Sequence, residues 1–111
     1  MGTISSVKEY FDTLDERFVS EGAQGVTCVF QYEISGDEGD TFHVNVNDGS
    51  MEVVQGAHEA PTATIRMKDQ DFVNMVNGKL KGQVAFMTGK LKVAGNIPMA
   101  TKMQKIFPPN S

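Results

Sequence analysis

GKLKGQVAFMTGKLKVAGNIPMATKMQKIF, from Gly78 to Phe107, is the stretch around which the rest of the chain is arranged. Two Lys-Leu-Lys segments, each preceded by a glycine, flank the apolar run 84–87, and a last apolar segment follows Gly95-Asn96. No carboxylate interrupts this stretch. It therefore predicts an apolar pocket with a basic rim.

The length and composition predict one domain covering residues 1–111. With 40% apolar and 22% charged residues, the chain resembles an ordinary globular domain, and such a domain buries roughly 65% of its unfolded surface. No apolar run approaches the ~20 residues of a membrane span, and the first residues lack the pattern of a secretory signal. We therefore expect a cytoplasmic protein.

The cysteine and histidine content argues against disulfide and metal chemistry. Cys28 is the single cysteine and lies among alternating strand residues, where a buried thiol is common. His43 and His58 have no partner at a metal-ligand spacing, and we expect both at the surface. No cofactor and no metal are expected.

Charge is unevenly distributed along the chain, whose net charge is −4. Residues 1–71 hold all 14 acids and four of the ten bases, whereas residues 72–111 hold six lysines and no acid. Such asymmetry is typical of a surface that prefers anions, such as phospholipid headgroups or the phosphates of an acyl-coenzyme A. The alternative is a set of solvated faces that partly cancel, which is the simpler interpretation of the residues alone.

A capping box at Ser6 predicts the first helix. Ser6 can accept a hydrogen bond from the backbone N–H of Glu9 while the Glu9 side chain reaches back. Gly22 offers a left-handed stop. The apolar positions of this helix follow at helical spacing: Val7, Tyr10, Phe11, Leu14 and Phe18.

Alternation of apolar and polar residues predicts four strands after the first helix. Their ranges are 26–34, 41–47, 51–55 and 62–67. The Asp48-Gly49 pair suits a tight primed turn between the second and third strands. We expect these four strands to be antiparallel.

The last third of the chain predicts three helices, at 69–77, 82–88 and 97–107, and a fifth strand at 90–93. Asp69 and Asn96 are the expected N-caps of the first and last of these helices. Strands come early and helices late. The order predicts an α+β fold, with a five-stranded, mostly antiparallel sheet and helices packed on one face.

No pattern indicates a catalytic centre. The chain has no nucleophile in a recognisable turn, no HExxH motif and no paired carboxylates in apolar surroundings. Nucleic-acid binding is also disfavoured, because the basic run is interleaved with Leu80, Leu91 and Val93 rather than with stacking aromatics.

The positive signal is a cluster of apolar residues between Phe72 and Phe107, which includes four of the seven methionines. Methionine is unbranched and adapts to irregular apolar guests. The cluster predicts either a pocket for lipids or the core beneath the sheet, and the residues alone leave both interpretations open.

A resemblance to a known family favours the pocket. ATIRMKDQDF at 63–72 and GKLKGQVAFMTGKLKVAGN at 78–96 are followed by a methionine-bearing last segment. In this order and spacing they resemble the sterol carrier protein (type 2) lipid-binding domain. Residues 89–96 are the most specific part, and the resemblance runs from about the first helix to Phe107.

The resemblance implies an apolar tunnel between sheet and helices that holds a fatty acid, a fatty acyl-coenzyme A or a sterol. Asn96 would stand at the entrance to the closing helix. The carboxyl-terminal residues 109–111 depart from the peroxisomal tripeptide of eukaryotic members, so peroxisomal import is not expected. The other implied lining residues are Phe18, Phe72, Met75, Val84, Phe86, Met87, Ile97, Met99, Ala100 and Met103.

Two function hypotheses from different classes follow, and a third is weaker. The first is a non-enzymatic lipid carrier, a monomer or weak homodimer, that makes transient contact with anionic membranes through Lys79, Lys81, Lys90 and Lys92. The second is an accessory or dimerisation module that acts on a partner enzyme. A hydrolase or thioesterase comes third.

Overall fold

The computed structural model describes residues 4–108, apart from the side chain of Gln104. Predictions for the two chain ends, including residues 109–111, lie outside the described residues. The helices are α1 (Val7–Asp12), α2 (Asp69–Val76), α3 (Gly82–Met87) and α4 (Ile97–Ile106). The strands are β1 (Thr27–Ser35), β2 (Thr41–Asn47), β3 (Ser50–Gln55), β4 (Ala63–Lys68) and β5 (Lys92–Gly95).

The five strands form one mixed sheet in the order β3-β2-β1-β4-β5. It is mostly antiparallel, as predicted, but β1 and β4 run parallel, with Phe30 opposite Ala63. The expectation that the first four strands are all antiparallel is therefore wrong. The loop 56–62 carries the chain from β3 past β2 and β1, and this crossover lets β4 pair with β1.

All four helices belong to one side of the sheet, which we call the inner face. Phe11 of α1 and Phe72 of α2 pack against Tyr32 of β1, with ring centroids 5.0 and 6.0 Å apart. The Tyr32 hydroxyl also donates a hydrogen bond of 3.2 Å to the Met103 sulfur of α4. Helices on one face of a mostly antiparallel sheet make the α+β architecture that the element order predicted.

The opposite side of the sheet, the outer face, is partly covered by the loop 56–62. The Gln31 side chain accepts a hydrogen bond of 2.8 Å from the backbone N–H of His58. His43 Nδ1 lies 2.9 Å from the Gly56 carbonyl oxygen and is buried, so the prediction of a surface position for His43 is wrong. Cys28 points to the inner face and is buried as expected, and this burial raises the pKa of its thiol.

The first helix is shorter than predicted. Ser6 does cap it by accepting from the Glu9 N–H at 3.1 Å, but the Glu9 carboxylate reaches Ser5 instead of Ser6. The helix ends at Asp12, and the carbonyl oxygen of its C-cap residue, Thr13, accepts from the Arg17 guanidinium at 3.2 Å. The Arg17 side chain thus satisfies a carbonyl group at the helix end. Two short 3₁₀ helices follow, Leu14–Glu16 and Ser20–Ala23. Gly25, at φ 74°, takes the left-handed conformation that was expected of Gly22.

Local predictions for the turns and caps have mixed outcomes. The 48–49 turn is confirmed, with φ of 43° at Asp48 and 85° at Gly49, as a primed turn requires. Asn96 caps α4 by accepting from the Met99 N–H at 3.1 Å. Asp69 is instead the first residue of α2, and its carboxylate accepts from the Glu38 N–H at 3.1 Å.

The fifth strand begins two residues later than predicted. The N–H groups of Lys90 and Leu91 both donate to the Ala85 carbonyl oxygen, at 2.9 and 3.0 Å. They close the C-terminus of α3 and cannot pair with β4. At the other end of the strand, Gly95 lies so close to Thr62 that a Cβ atom would come within 2.6 Å of its carbonyl oxygen.

Candidate functional site

A cavity of about 450 Å³ lies between the inner face of the sheet and the helices. All four helices and three of the strands contribute to its wall. The lining residues are Tyr10, Tyr32, Ile65, Phe72, Met75, Val76, Gly82, Gln83, Phe86, Leu91, Val93, Ile97, Ala100, Thr101, Met103 and Phe107.

One row of side chains across the sheet forms the strand side of this wall. Tyr32 of β1 is in register with Ile65 of β4, which is in register with Val93 of β5. Residues in register point to the same face of a sheet. Three neighbouring strands therefore present a continuous apolar row to the cavity.

Helical spacing forms the other side of the wall. Phe72, Met75 and Val76 on α2 follow the i, i+3, i+4 pattern of one helix face. On α4 the same pattern brings Ile97, Ala100 and Thr101 to the cavity. The two faces lie over the strand row and leave space between them.

The cavity meets solvent beside α3. Phe86 lines it and is 54% exposed, and Ile97 at the start of α4 lines it and is 46% exposed. The deeper lining residues Tyr32, Phe72 and Val76 are buried. The opening is therefore framed by α3 and the first turn of α4.

The cavity wall is apolar and uncharged. None of the described residues that line it carries an ionised side chain at neutral pH. Burial raises the pKa of Tyr10 and of Tyr32 well above the ordinary value, so both remain neutral. A concave, largely apolar wall with a few polar groups is typical of a small-molecule site.

Six of the predicted lining residues do line the cavity: Phe72, Met75, Phe86, Ile97, Ala100 and Met103. They come from three helices that are separated along the chain. The apolar cluster read from the sequence is thus partly cavity wall.

Five predicted residues lie elsewhere. Phe18 packs against Phe107, with ring centroids 5.7 Å apart, and Met99 is partly buried against the core. Asn96 caps α4 with its side chain. Val84 and Met87 occupy the side of α3 turned away from the cavity, and they are 46% and 77% exposed.

Ten lining residues were not among the predicted site residues. The strand residues Tyr32, Ile65 and Val93 could have been found, since period-two alternation already assigned them to one face of each strand. Tyr10 lay on the apolar stripe of the first helix. Gln83 and Thr101 carry no apolar signal, and their position depends on how α3 and α4 are turned.

The four predicted rim lysines are divided between two places. Lys79 and Lys81 are exposed in the segment just before α3. Lys90 and Lys92 line a second cleft, of about 440 Å³, which also involves Glu33, Arg66 and Lys68. Lys92 is in register with Arg66 on the outer face, where the Arg66 Nε donates to Glu33 at 2.9 Å.

An α+β fold with an apolar cavity between sheet and helices is the architecture of a domain that binds small apolar molecules. The chain belongs to the SCP-2 sterol transfer family, whose model matches residues 11–108. The resemblance read from the sequence is confirmed by this match.

The similar proteins include both large enzymes and small carrier domains. Hydroxysteroid dehydrogenase-like protein 2 of Rattus norvegicus is 34% identical over 103 residues, which make up 92% of this chain and 20% of that protein. The sterol carrier protein domain 2 of Helicoverpa armigera is 26% identical, with a TM-score of 0.74 over 89% of this chain and 83% of that one. Palmitated SCP2L2 from Aedes aegypti is 22% identical, with a TM-score of 0.76 over 96% of this chain and 97% of that one.

The chain spans a fifth to a quarter of the length of the curated relatives that it matches first. Within residues 4–108, no helix has the length and apolar character needed to cross a membrane. The same residues contain no group of three or more His, Cys, Asp or Glu side chains that could hold a metal ion.

Proposed function

We propose that residues 1–111 act as one lipid-carrying unit that binds a fatty acid, a fatty acyl-coenzyme A or a sterol without transforming it. The observation that carries the proposal is the uncharged, apolar cavity of about 450 Å³ between sheet and helices. This volume lies in the range of roughly 300–1,000 Å³ that is usual for small-molecule sites. The family to which the chain belongs and the palmitated insect relative support the same ligand class.

The binding chemistry in this proposal is desolvation. Each methylene of a guest that leaves water for the cavity contributes about 0.8 kcal/mol, so a long acyl chain binds without a specific polar contact. The hydroxyls of Tyr10 and Thr101 offer weak polar groups along the wall. We expect broad specificity, because the flexible Met75 and Met103 adapt to different guests.

The uncharged wall of the cavity favours some guests over others. A fatty acid or a sterol can place nearly its whole length inside an uncharged wall. An acyl-coenzyme A must leave its phosphates outside this uncharged wall. We propose a fatty acid or a sterol as the principal guest for this reason. We also propose a cytoplasmic site of action.

The second candidate is an accessory module for an enzyme. It is favoured by one observation, that the rat relative carries the matching region as only 20% of a much longer protein. In that case the cavity would present a guest to a partner enzyme or contribute to an interface, and no free carriage between membranes would occur.

Mass spectrometry of the purified protein under non-denaturing conditions tests the proposal. We expect a species heavier than the bare chain by the mass of a fatty acid or sterol, which organic extraction removes. Displacement of a fluorescent fatty acid from the extracted protein provides the affinity. A protein that emerges empty and fails to bind the fluorescent fatty acid would contradict the carrier proposal and leave the accessory module.

A further inference from the structure

Helix α3 exposes its large apolar side chains to solvent, whereas a helix of a globular protein usually buries them. It buries only Ala85, while Val84, Phe86 and Met87 are 46%, 54% and 77% exposed. Ile97, at the start of α4, is a further exposed apolar residue. We call Val84, Phe86, Met87 and Ile97 the α3 patch.

The α3 patch holds four of the five large apolar side chains that are exposed among the described residues. The fifth, Val19, lies next to the other end of α4, where its N–H donates to the Ile106 carbonyl oxygen at 2.9 Å. Single exposed apolar residues need no explanation, but a contiguous group marks an interaction surface. In the α3 patch, three of the four side chains belong to one six-residue helix, and Phe86 of that helix lines the same cavity as Ile97.

The α3 patch lies beside the opening of the cavity. Phe86 and Ile97 line the cavity and frame its mouth, whereas Val84 and Met87 do not line it. A bound guest can cover Phe86 and Ile97 but leaves Val84 and Met87 in water. Contact with another apolar phase would remove these two side chains from water.

The charge near the patch identifies that phase as an anionic bilayer rather than a second copy of the chain. Lys79 and Lys81 are exposed just before α3, and no acidic residue occurs anywhere from Phe72 onwards. In a two-fold dimer through this surface, lysines would face lysines, which is unfavourable. Lipid phosphates and anionic headgroups complement them.

We propose that the α3 patch is a membrane-docking surface, which enters the interfacial region of an anionic bilayer and places the cavity mouth against the lipids. Helix α3 has six residues and lies on the surface of the molecule, so it can be buried in the headgroup region without spanning the membrane. Besides the charge argument, the choice of a bilayer as partner rests on the proposed carrier function, since a lipid carrier must meet the membrane that supplies its guest.

A single introduced tryptophan tests the docking directly, because the chain contains none. The variant Met87→Trp is mixed with vesicles of phosphatidylcholine plus phosphatidylserine and with vesicles of phosphatidylcholine alone. We expect a blue shift of the emission, and quenching by brominated acyl chains, with the anionic vesicles. The matched control Ala57→Trp lies in the exposed loop on the outer face and should show neither effect.

Two outcomes of this measurement would overturn the proposal. One is emission from Met87→Trp that anionic vesicles leave unchanged. The other is a blue shift that appears without vesicles and grows with protein concentration, which would make a second copy of the chain the occupant.

A second variant separates docking from guest binding. Val84→Gln/Met87→Gln removes two exposed apolar side chains, and we expect about tenfold weaker binding to anionic vesicles in sedimentation. The control Val19→Gln makes the same chemical change away from the patch and should bind as the unmodified protein does. Displacement of a fluorescent fatty acid in solution should be the same in all three proteins.

The two readouts fail in different ways. Loss of fatty-acid displacement in Val84→Gln/Met87→Gln would place these residues in the cavity and overturn the docking proposal. Docking of Met87→Trp by a protein that binds no fatty acid would contradict the carrier function and leave the docking surface standing.

Discussion

The two ends of the helical layer cover the same sheet in opposite ways. Beneath α1 and α2, Phe11 stacks on Phe42 with ring centroids 4.2 Å apart, and Tyr10 meets Phe72 edge to face at 5.0 Å. With Tyr32 these rings form an aromatic cluster that is buried throughout. Beneath α3 and the start of α4 there is instead a cavity of about 450 Å³ with exposed side chains at its mouth.

The contrast shows how a small domain can be both stable and hollow. Close packing of large rings supplies apolar burial and aromatic contacts. Tyr10, Tyr32 and Phe72 belong to the aromatic cluster and also line the cavity. The aromatic cluster beneath α1 and α2 therefore forms part of the cavity wall. The aromatic cluster carries the fold, and the cavity at the other end leaves space for a guest.

The largest expected effect tests this division through two phenylalanines. Phe11→Ala removes the ring at the centre of the aromatic cluster and should lower the free energy of unfolding by about 3–5 kcal/mol. Phe86→Ala, half exposed at the cavity mouth, should cost about 1 kcal/mol or less. Urea denaturation of the lipid-free proteins measures both. Equal losses would show that the α3 end also carries the fold.

The next effect concerns the space at the empty end. Ala100→Trp puts a large ring into the cavity and should weaken fatty-acid binding by about 2 kcal/mol, the contribution of two or three guest methylenes. Stability should change little, because the ring enters existing space instead of a filled core. Lys102→Trp places the same ring on the exposed side of α4 and is the control. Displacement of a fluorescent fatty acid measures the affinity of both variants. Equal affinities of Ala100→Trp and Lys102→Trp would contradict the assignment of the cavity as the binding site.

The lysines provide a smaller effect that depends on location. Lys79→Gln/Lys81→Gln removes the charges next to α3 and should slow fatty-acid transfer from anionic vesicles, by about 1 kcal/mol for each lysine at low salt. Lys90→Gln/Lys92→Gln removes the same charge from the second cleft and should slow the transfer of fatty acid less. Both differences should shrink as salt rises, since exposed charges are screened beyond about 10 Å at 0.1 M. Transfer rates that are equal from neutral and anionic vesicles would refute a role for either pair.

The sequence predicted the parts of the fold that depend on neighbouring residues. The Asn96 cap and the 48–49 turn follow from short-range hydrogen bonding and backbone conformation, and both are confirmed. The position of β4 beside β1 depends on a crossover between distant segments. Periodicity reports which face a residue takes, not which strand lies next to it.

The candidate site divides in the same way. Helical spacing turned Phe72 and Met103 inward, and the resemblance to the family then implied that both line the cavity. It could not separate Phe86, at the cavity mouth, from Met87, which points to solvent, because one residue of rotation on a short helix decides between them. The location of Lys92 depends on the pairing of β5 with β4, which sets Lys92 opposite Arg66 on the outer face.

The smallest expected effect lies on the outer face, away from both ends of the helical layer. The hydrogen bond from Arg66, and then the one from Gln31, lower the pKa of the Glu33 carboxyl. Because the pKa is lower in the folded than in the unfolded protein, this pair stabilises the fold above the unfolded value of about 4.3 and ceases to do so as pH falls through the folded pKa. At neutral pH, Glu33→Gln should lose about 0.2–1 kcal/mol, as is usual for an exposed pair.

Urea midpoints of the unmodified protein and of Glu33→Gln, compared from neutral to acidic pH, measure this difference. The two curves should be separated at pH 7 and converge in acid. Fatty-acid affinity should be equal in the two proteins, because Glu33 and the cavity lie on opposite faces of the sheet. A separation that widens as the pH falls would mean that the Glu33 carboxylate is destabilising at neutral pH, and a change in affinity would mean that the two faces are coupled through β1.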